Sequence, residues 1–274
     1  MVDATIGHGG HSRLFGAQLG PEAVLVGLDV DKKTLRRAQS SLEHLLCKVI
    51  CIHSNFAEIT EALHKQGIET ADFILADLGL SSSQIADPSF GLSFSTDMPL
   101  DMRMDERITT TAADIVNGTD EKSLADLIYK FGQDRASRRI ARFIVTQRRK
   151  KKIITTGELA AIVARALARP GKRFKGRIHP ATRTFQALRI AVNNELESLE
   201  KLLESAPALL KKDGYIAIIS FHSLEDRIVK NNFRQNEKDG IYKILTKKPL
   251  APTREEIAAN RRARSAKLRI AQRN

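Results

Sequence analysis

Two carboxylates and a histidine stand where short apolar runs of this chain end. Asp29 closes Val24-Leu-Val-Gly-Leu28, Asp77 closes Phe73-Ile-Leu-Ala76, and His222 follows Tyr215-Ile-Ala-Ile-Ile-Ser-Phe221. If those runs are parallel strands, the three groups share the carboxyl edge of one sheet, where open α/β folds bind ligands. A carboxylate there can accept hydrogen bonds from ribose hydroxyls, grip a cationic group or take up a proton. The opening Val2-Asp-Ala-Thr-Ile6 runs into Gly7-His-Gly-Gly-His-Ser12, a strand followed by a glycine-rich turn and a helix start. Glycines 7, 9 and 10 allow positive φ and close approach to the backbone, so that a side chain at Gly9 or Gly10 would meet a ligand. Asp29 comes 22 residues after Gly7, the spacing of an acid that holds a ribose. Glycine alone marks many structural turns; the strand, helix and spaced acid together favour a nucleoside ligand.

Other segments carry weaker signals. Phe56, after the run Lys48-Val-Ile-Cys-Ile52, could stack on an adenine or be a core aromatic. Met98-Pro-Leu-Asp-Met-Arg-Met104 alternates apolar and charged residues. Its Met98, Leu100, Met102 and Met104 could wall a dry pocket around Asp101, with Arg103 beside it. His179-Pro-Ala-Thr-Arg183 opens a helix next to Lys172, Arg173, Lys175 and Arg177; the helix start and Arg183 suit a phosphate. A lone His such as His222 is usually structural, but its place beside two acidic strand ends makes it a candidate.

The elements that position these residues form an interrupted α/β pattern. Strands are expected near 2–6, 24–28, 48–52, 73–77 and 215–221, with helices at 12–20, 31–46 and 57–67 between the first four. Residues 78–104 read as loop. Helices follow at 111–117, 120–130, 134–150 and 155–168 with no convincing strand. A long helix from His179 to about Leu210, the turn Lys211-Lys-Asp-Gly214, a helix at 224–235 and strands at 241–246 and 265–272 complete the chain. The expected organisation is a sheet domain of residues 1–104 and 178–274 carrying an inserted basic helical domain, 105–177, as a lid over the crevice. Only a loop is expected between the last two strands, which suggests an antiparallel hairpin at the sheet edge. Dinucleotide dehydrogenases continue with parallel crossovers instead, so the pattern favours S-adenosylmethionine over a nicotinamide cofactor.

Charge narrows the partner class. The net charge is +13. Residues 105–177 hold 18 Lys/Arg against 8 Asp/Glu, and residues 254–274 hold 7 against 2, so the rest of the chain is slightly acidic. An excess confined to one segment and one tail reads as a polyanion footprint, against the plainer reading of a solvated basic surface. Arg148-Arg-Lys-Lys-Lys152 is the densest run. No apolar run reaches the length of a membrane span and no secretory leader is read, because residue 2 already enters a strand, so a cytoplasmic protein is expected. Cys47 and Cys51 flank a strand and read as reduced thiols; no metal site is expected.

Several of these segments together resemble one family. Asp3-x-Thr-x-Gly-x-Gly-Gly-His-Ser12, Asp77-Leu-Gly79, Phe90-Gly91, Pro99-Leu-Asp-Met-Arg-Met-Asp105, His179-Pro-Ala-Thr-Arg-Thr-Phe-Gln-Ala-Leu-Arg189, Ser220-Phe-His-Ser-Leu-Glu-Asp-Arg-Ile-Val229 and Arg262-Ala-Arg-Ser265 look like the MraW methyltransferases. The resemblance spans the chain and its motifs are long. It implies a Rossmann-like α/β methyltransferase sheet, mostly parallel with an antiparallel final strand, and an inserted all-helical domain. It implies methylation of the N4 amine of a cytidine in the decoding region of small-subunit ribosomal RNA, with S-adenosylmethionine as cofactor. By motif position Gly9, Gly10, His11, Asp29, Phe56, Asp77 and Gln84 would line the cofactor pocket. The family carries a His-x-Pro-Val segment ahead of the first strand, so this chain reads as truncated at its start, or as a divergent or partial gene product. The loop between Lys247 and Arg254 is short for the family.

Cytosine's exocyclic amine is a poor nucleophile, so the reaction needs an in-line approach and an acceptor for the amine's proton. Other amino-methyltransferases place Asp/Ser/Asn-Pro-Pro-aromatic at the fourth strand; this chain has Asp77-Leu-Gly79. Asp101 is therefore the first catalytic candidate and His222 the second. Arg103, Lys172, Arg173, Lys175, Arg177, His179 and Arg183 are the candidates for holding RNA, with the target base turned out of its stack. The expected partner is small-subunit ribosomal RNA or the assembled small subunit, with no membrane; a homodimer stays open. A small-molecule methyltransferase, or an RNA-binding ribosome-assembly factor with impaired catalysis, remain the alternatives.

Overall fold

The computed structural model describes residues 1–168 and 179–274. The described chain divides into two compact units, residues 1–79 with 196–274, and residues 80–195. No helix among the described residues is long and apolar enough to cross a membrane.

The first unit is built on a seven-stranded sheet in the order β3-β2-β1-β4-β5-β7-β6. Its strands are β1 (Val2–Asp3), β2 (Val24–Asp29), β3 (Lys48–His53), β4 (Ala71–Asp77), β5 (Leu210–Ser220), β6 (Tyr242–Ile244) and β7 (Lys267–Arg273). Strands β1 to β5 run parallel, and β7 is antiparallel to both β5 and β6. The expected mostly parallel sheet with an antiparallel final strand is present, and the last two strands form the expected antiparallel pair at one sheet edge, with β7 as its inner strand. It inserts between β5 and β6, because its apolar residues Ile270 and Ala271 pair with Ala217 and Ile216 of the buried β5.

Near-continuous apolar runs explain the central strands, since both faces are used. Val2, Val26, Ile74, Ile216 and Ile218 point to one side, where they form a core with Leu199, Leu202, Leu203, Val229 and Phe233. Leu25 points to the other side and packs with Leu35, Ala38 and Leu42. The crossover helices are α1 (Gly10–Gly16), α2 (Lys32–Leu42) and α3 (Ile59–His64), the last entered by a single 3-10 turn at Phe56–Glu58. Asp31 caps α2 by accepting from Lys33 N–H, and Asn55 caps the turn by accepting from Ala57 N–H.

The second unit carries α4 (Ser82–Ala86), α5 (Ala112–Gly118), α6 (Glu121–Gly132), α7 (Ser137–Arg148), α8 (Thr156–Leu167) and α9 (Thr182–Asn193). Thr111, Asp120 and Thr155 cap α5, α6 and α8. The unit is wider than the basic segment 105–177, because Leu100 and Met102 before that segment and Phe185, Leu188 and Val192 after it belong to the same core as Ile128, Ile144 and Val163. Charge marked the helices, whereas burial decides where the unit begins and ends.

Three local expectations change. The single long helix after His179 is two, α9 and α10 (Glu195–Leu209), broken at Asn194 with φ 50°. Asn tolerates that left-handed conformation and so ends the helix without a Gly or Pro signal. The turn Lys211–Gly214 is absorbed into β5 as an irregularity opposite Ala71 and Phe73, with Asp213 at φ 64°. After α11 (Ser223–Lys238), the link between β6 and β7 holds a short helix, α12 (Arg254–Ala259), capped by Thr253, rather than loop alone.

Gly27 shows how tightly β2 is built. A Cβ there would collide with the Cδ1 of Ile6 and reach 3.0 Å from its Cβ. Gly27→Ala should therefore lower stability by about 1–3 kcal/mol, and adding Ile6→Ala should recover part of that loss. Thermal unfolding of the single and double variants checks both.

Candidate functional site

The end of β1 begins the site. Asp3 is 1% exposed and its carboxylate accepts from the Ser12 hydroxyl at 2.7 Å and the Thr5 amide at 3.2 Å. Burial pushes its pKa up, while the bond from Ser12 opposes the shift. The bond from Ser12 ties the start and end of the glycine loop together, and past the end of β1 the Ala4 and Ile6 amides still donate to the Leu75 and Leu28 carbonyls of the neighbouring strands. The loop turns through Gly7 (φ 52°) and Gly9 (φ 78°) into α1.

Asp29, at the end of β2, accepts the Gly7 amide at 3.0 Å on one oxygen and the Asp31 amide at 2.8 Å on the other. Burial outweighs these two bonds and raises its pKa to about 6. On the other side of β1, Asp77 ends β4. Its backbone N–H donates to the Thr5 hydroxyl at 2.6 Å, and its carboxylate accepts from Gly79 N–H at 3.1 Å and lies 3.3 Å from His11 Nε2. That contact raises the His11 pKa. A Cβ at Gly79 would sit 2.8 Å from the Phe221 ring, so Asp77-Leu-Gly79 needs its glycine for packing. Phe56 is half-buried against the core below the end of β3.

The two glycines of the loop differ. A Cβ at Gly9 would meet Ser41 Oγ at 3.0 Å and Leu42 at 3.4 Å, so the expected obstruction comes from α2 rather than from a ligand. A Cβ at Gly10 would meet nothing within 4 Å. Open space therefore lies beside Gly10, at the N-terminus of α1, on the loop that leaves β1, the strand flanked by those that end in Asp29 and Asp77. Two acids and a glycine with space before it suit a ligand carrying both hydroxyls and positive charge, as S-adenosylmethionine does.

His222 lies past the end of β5, where its Nδ1 caps α11 by accepting Glu225 N–H at 3.3 Å. Its Nε2 is 3.2 Å from a Glu225 oxygen, and the other Glu225 oxygen accepts the amides of Phe221 and His222. Sequence reasoning missed Glu225, although His222-x-x-Glu225 has the spacing of a capping box.

The remaining candidates belong to the second unit. Gln84 is buried and its side-chain carbonyl accepts Ser81 N–H at 3.0 Å, closing a cap on α4. Asp101 and Arg103 form a bidentate pair, Nε to Oδ1 at 2.7 Å and Nη2 to Oδ2 at 2.8 Å, and Arg103 also donates to the Ile108 carbonyl at 3.1 Å. Asp105 and Arg107 repeat the arrangement, with Nη2 to Oδ2 at 2.7 Å. The expected dry wall around Asp101 is not formed by Met98, Leu100 and Met102. They are 6%, 2% and 0% exposed inside the unit, because alternation sends them inward while Asp101 and Arg103 face outward. Asn193, unmarked in the sequence, holds this loop: it accepts Met104 N–H and donates to the Met102 carbonyl, both at 2.8 Å.

His179 stacks on Phe94 at 4.7 Å and its Nδ1 accepts Ala181 N–H at 3.2 Å, while the exposed Arg183 reaches the Gln133 carbonyl at 3.4 Å. Lys172, Arg173, Lys175 and Arg177 lie outside the described residues. In the run 148–152, Arg148 donates to the Val116 carbonyl at 2.7 Å and Lys151 pairs with Glu158 at 2.7 Å, so these two serve the fold.

Asp29 yields a test with opposite signs for ligand and fold. Ribose hydroxyls donate to its ionised form, so S-adenosylmethionine affinity should weaken by up to about tenfold per pH unit below about 6. Asp29→Asn should bind more weakly and lose that dependence. In the unliganded protein, Asp29 holds its proton more tightly folded than unfolded. Its contribution to stability is therefore present at acid pH and is lost as pH rises through about 6. Calorimetric titration and thermal unfolding from pH 4 to 8 read the two effects. Gly10→Val should weaken binding with little change in stability, whereas Gly9→Val should destabilise the fold.

The MraW methylase family model matches residues 1–274. A protein of Cyanothece sp. named ribosomal RNA small subunit methyltransferase H is 50% identical over 272 residues, covering 99% of this chain and 87% of the relative. Proteins of the same name from Koribacter versatilis and Clostridioides difficile are 47% and 43% identical, each across 99% of this chain and across 87% and 91% of the relative. Identity at this level over the whole length, on a methyltransferase-type sheet with the glycine loop and two acidic strand ends in place, leaves one assignment: the chain belongs to the MraW methylase family.

Proposed function

We propose that the chain methylates the exocyclic N4 amine of a cytidine in the decoding region of small-subunit ribosomal RNA, with S-adenosylmethionine as its cofactor. One observation carries the reading: the glycine loop, held by Asp29 and flanked by the His11–Asp77 pair, sits on the carboxyl edge of the sheet. The names of the relatives and the family model across all 274 residues support the activity and the substrate.

When bound, the cofactor supplies an electrophilic methyl group on a sulfonium. Asp29 would hold its ribose, Gly10 and His11 would frame its approach, Phe56 would serve the adenine, and Asp77 would face its positive charge. Asp77 brings negative charge toward a cationic ligand. His11, whose pKa it raises, moderates that charge when protonated.

Asp101 is the residue we assign to the amine. Its Oδ1 takes two bonds from Arg103, the Nε and the backbone N–H, and its Oδ2 takes one from Nη2. A carboxylate oxygen has two lone pairs, so Oδ2 retains a site for an amine hydrogen. The bidentate pair with Arg103 fixes the direction of that free site, so Asp101 can accept and orient an amine hydrogen. His222 remains the second candidate. Its ring is committed to the α11 cap, and we assign it to positioning the end of β5. Arg103, His179 and Arg183, with Lys172, Arg173, Lys175 and Arg177, hold the RNA.

Labelled S-adenosylmethionine incubated with small ribosomal subunits lacking the modification, followed by digestion, should place the label in N4-methylcytidine. Label in a small molecule, or none with RNA binding intact, would support the two alternatives. Asp101→Asn should cut single-turnover methylation about 100-fold or more with unchanged cofactor affinity; a rate within about threefold of wild type would remove Asp101 from the chemistry. His222→Ala should mainly lower stability, by about 1 kcal/mol.

A further inference from the structure

Helix α7 carries two very different faces. Ile140, Ala141, Ile144 and Val145 are buried in the core of the second unit. Arg138, Arg139, Arg142, Phe143 and the C-cap Arg149 are all exposed. At 100° per residue these five fall within an arc of about 140°, and at 1.5 Å per residue the stripe is about 16 Å long. Arg135, just ahead of the helix, is exposed as well.

This stripe lacks the pattern of a helix face that is only solvated. Such faces interleave acids and bases so that i,i+4 neighbours attract. Between Arg135 and Lys152 there are nine Lys/Arg and no Asp/Glu. Arg138 and Arg142 are like charges at i,i+4. Arg138 and Arg139 stand in the first turn of α7, which holds no acid, where the helix dipole disfavours cations. The acid that approaches the stripe is Glu121, 3.8 Å from Arg142 with both side chains well exposed, which offsets little. Arg135, Arg138 and Arg149 make no ion pair among the described residues. The charge therefore works against the helix that carries it, and a polyanion would relieve it.

Two details narrow the polyanion. Every cation of the stripe is arginine, whose planar fork matches phosphate oxygens in pairs. Phe143 is 38% exposed among them, with the Arg139 guanidinium 5.9 Å from its ring centre. An exposed ring set between arginines offers an unpaired base a stacking surface.

We propose that the outward face of α7 is a docking track for the RNA substrate. Arg138, Arg142 and Arg149 hold successive phosphates, and Phe143, braced by Arg139, takes an unpaired base. The inference rests on the reading of the chain as an RNA methyltransferase.

The test uses the full chain and an unmodified small-subunit ribosomal RNA transcript. The variant R138Q/R142Q/R149Q should bind the transcript about tenfold or more weakly near physiological salt. Its slope of log affinity against log salt should fall by about 2, three contacts at about 0.7 each for single strands. Its melting temperature should not fall, because like charges have been removed from one face. F143L should weaken binding several-fold while leaving the salt slope unchanged. S-adenosylmethionine affinity should stay at the wild-type value in both. Wild-type affinity and slope in the triple variant would overturn the proposal. So would a triple variant that binds the transcript as the wild type does but loses binding to intact subunits, since the face would then meet protein. A wild-type chain that binds the transcript through this face yet labels neither transcript nor subunit would leave the track standing and end the methyltransferase reading.

Discussion

The bond from the Gly7 amide to the Asp29 carboxylate organises the first unit. It joins the carboxyl ends of β1 and β2 and sets where the glycine loop must turn. A buried carboxylate is expensive, and the pKa of about 6 records that Asp29 is held in a place that resists its charge. Two backbone amides partly compensate, and they are the amides that shape the loop and the start of α2. Asp3 repeats the device one strand over, with Ser12 and Thr5 as its donors. The same polar groups thus hold the backbone in place and leave acids at the carboxyl edge of the sheet.

The second unit relies on a different device. Its loops are held by asparagine side chains that act as detached pieces of backbone. Asn193 brackets the segment from Met102 to Met104, and Asn117 exchanges a bond in each direction with Ile153. An amide can donate and accept at once, so one buried residue satisfies two main-chain groups of an irregular segment that has no sheet partner. Met98, Leu100 and Met102 then bury their side chains beneath, and the outward charges of Asp101 and Arg103 close on each other. The Asp101–Arg103 pair is thereby held by several hydrogen bonds at once, as the role proposed for Asp101 would require.

Charge is spent unevenly. Of the basic residues 148–152, Arg148 and Lys151 are engaged inside the unit, so density of charge along the sequence is a poor guide to what a polyanion can reach. The arginines of α7 are spread out in sequence yet line up on one helix face. What counts for a long anion is the charge that shares a surface, and 3.6 residues per turn decides that.

The sequence by itself determined the order of elements, the parallel sheet with its antiparallel last strand, and the acids at strand ends. These follow from local rules: apolar runs of strand length, glycine at positive φ, and an acid a fixed distance beyond. The helices of the basic segment were equally legible from periodicity and from caps such as Thr111, Asp120 and Thr155. Only the tertiary structure decided that β7 enters the sheet between β5 and β6, that Asn194 breaks a helix, and that Gly9 faces α2 while Gly10 faces open space. It also turned three apolar residues of the Asp101 loop into core and made His222 a helix cap bound to Glu225. Each of these depends on a neighbour far along the chain: Asn193 is 89 residues from Met104, and Thr5 is 72 from Asp77. Spacing along a chain records periodicity, but it cannot record which distant surface a side chain will meet.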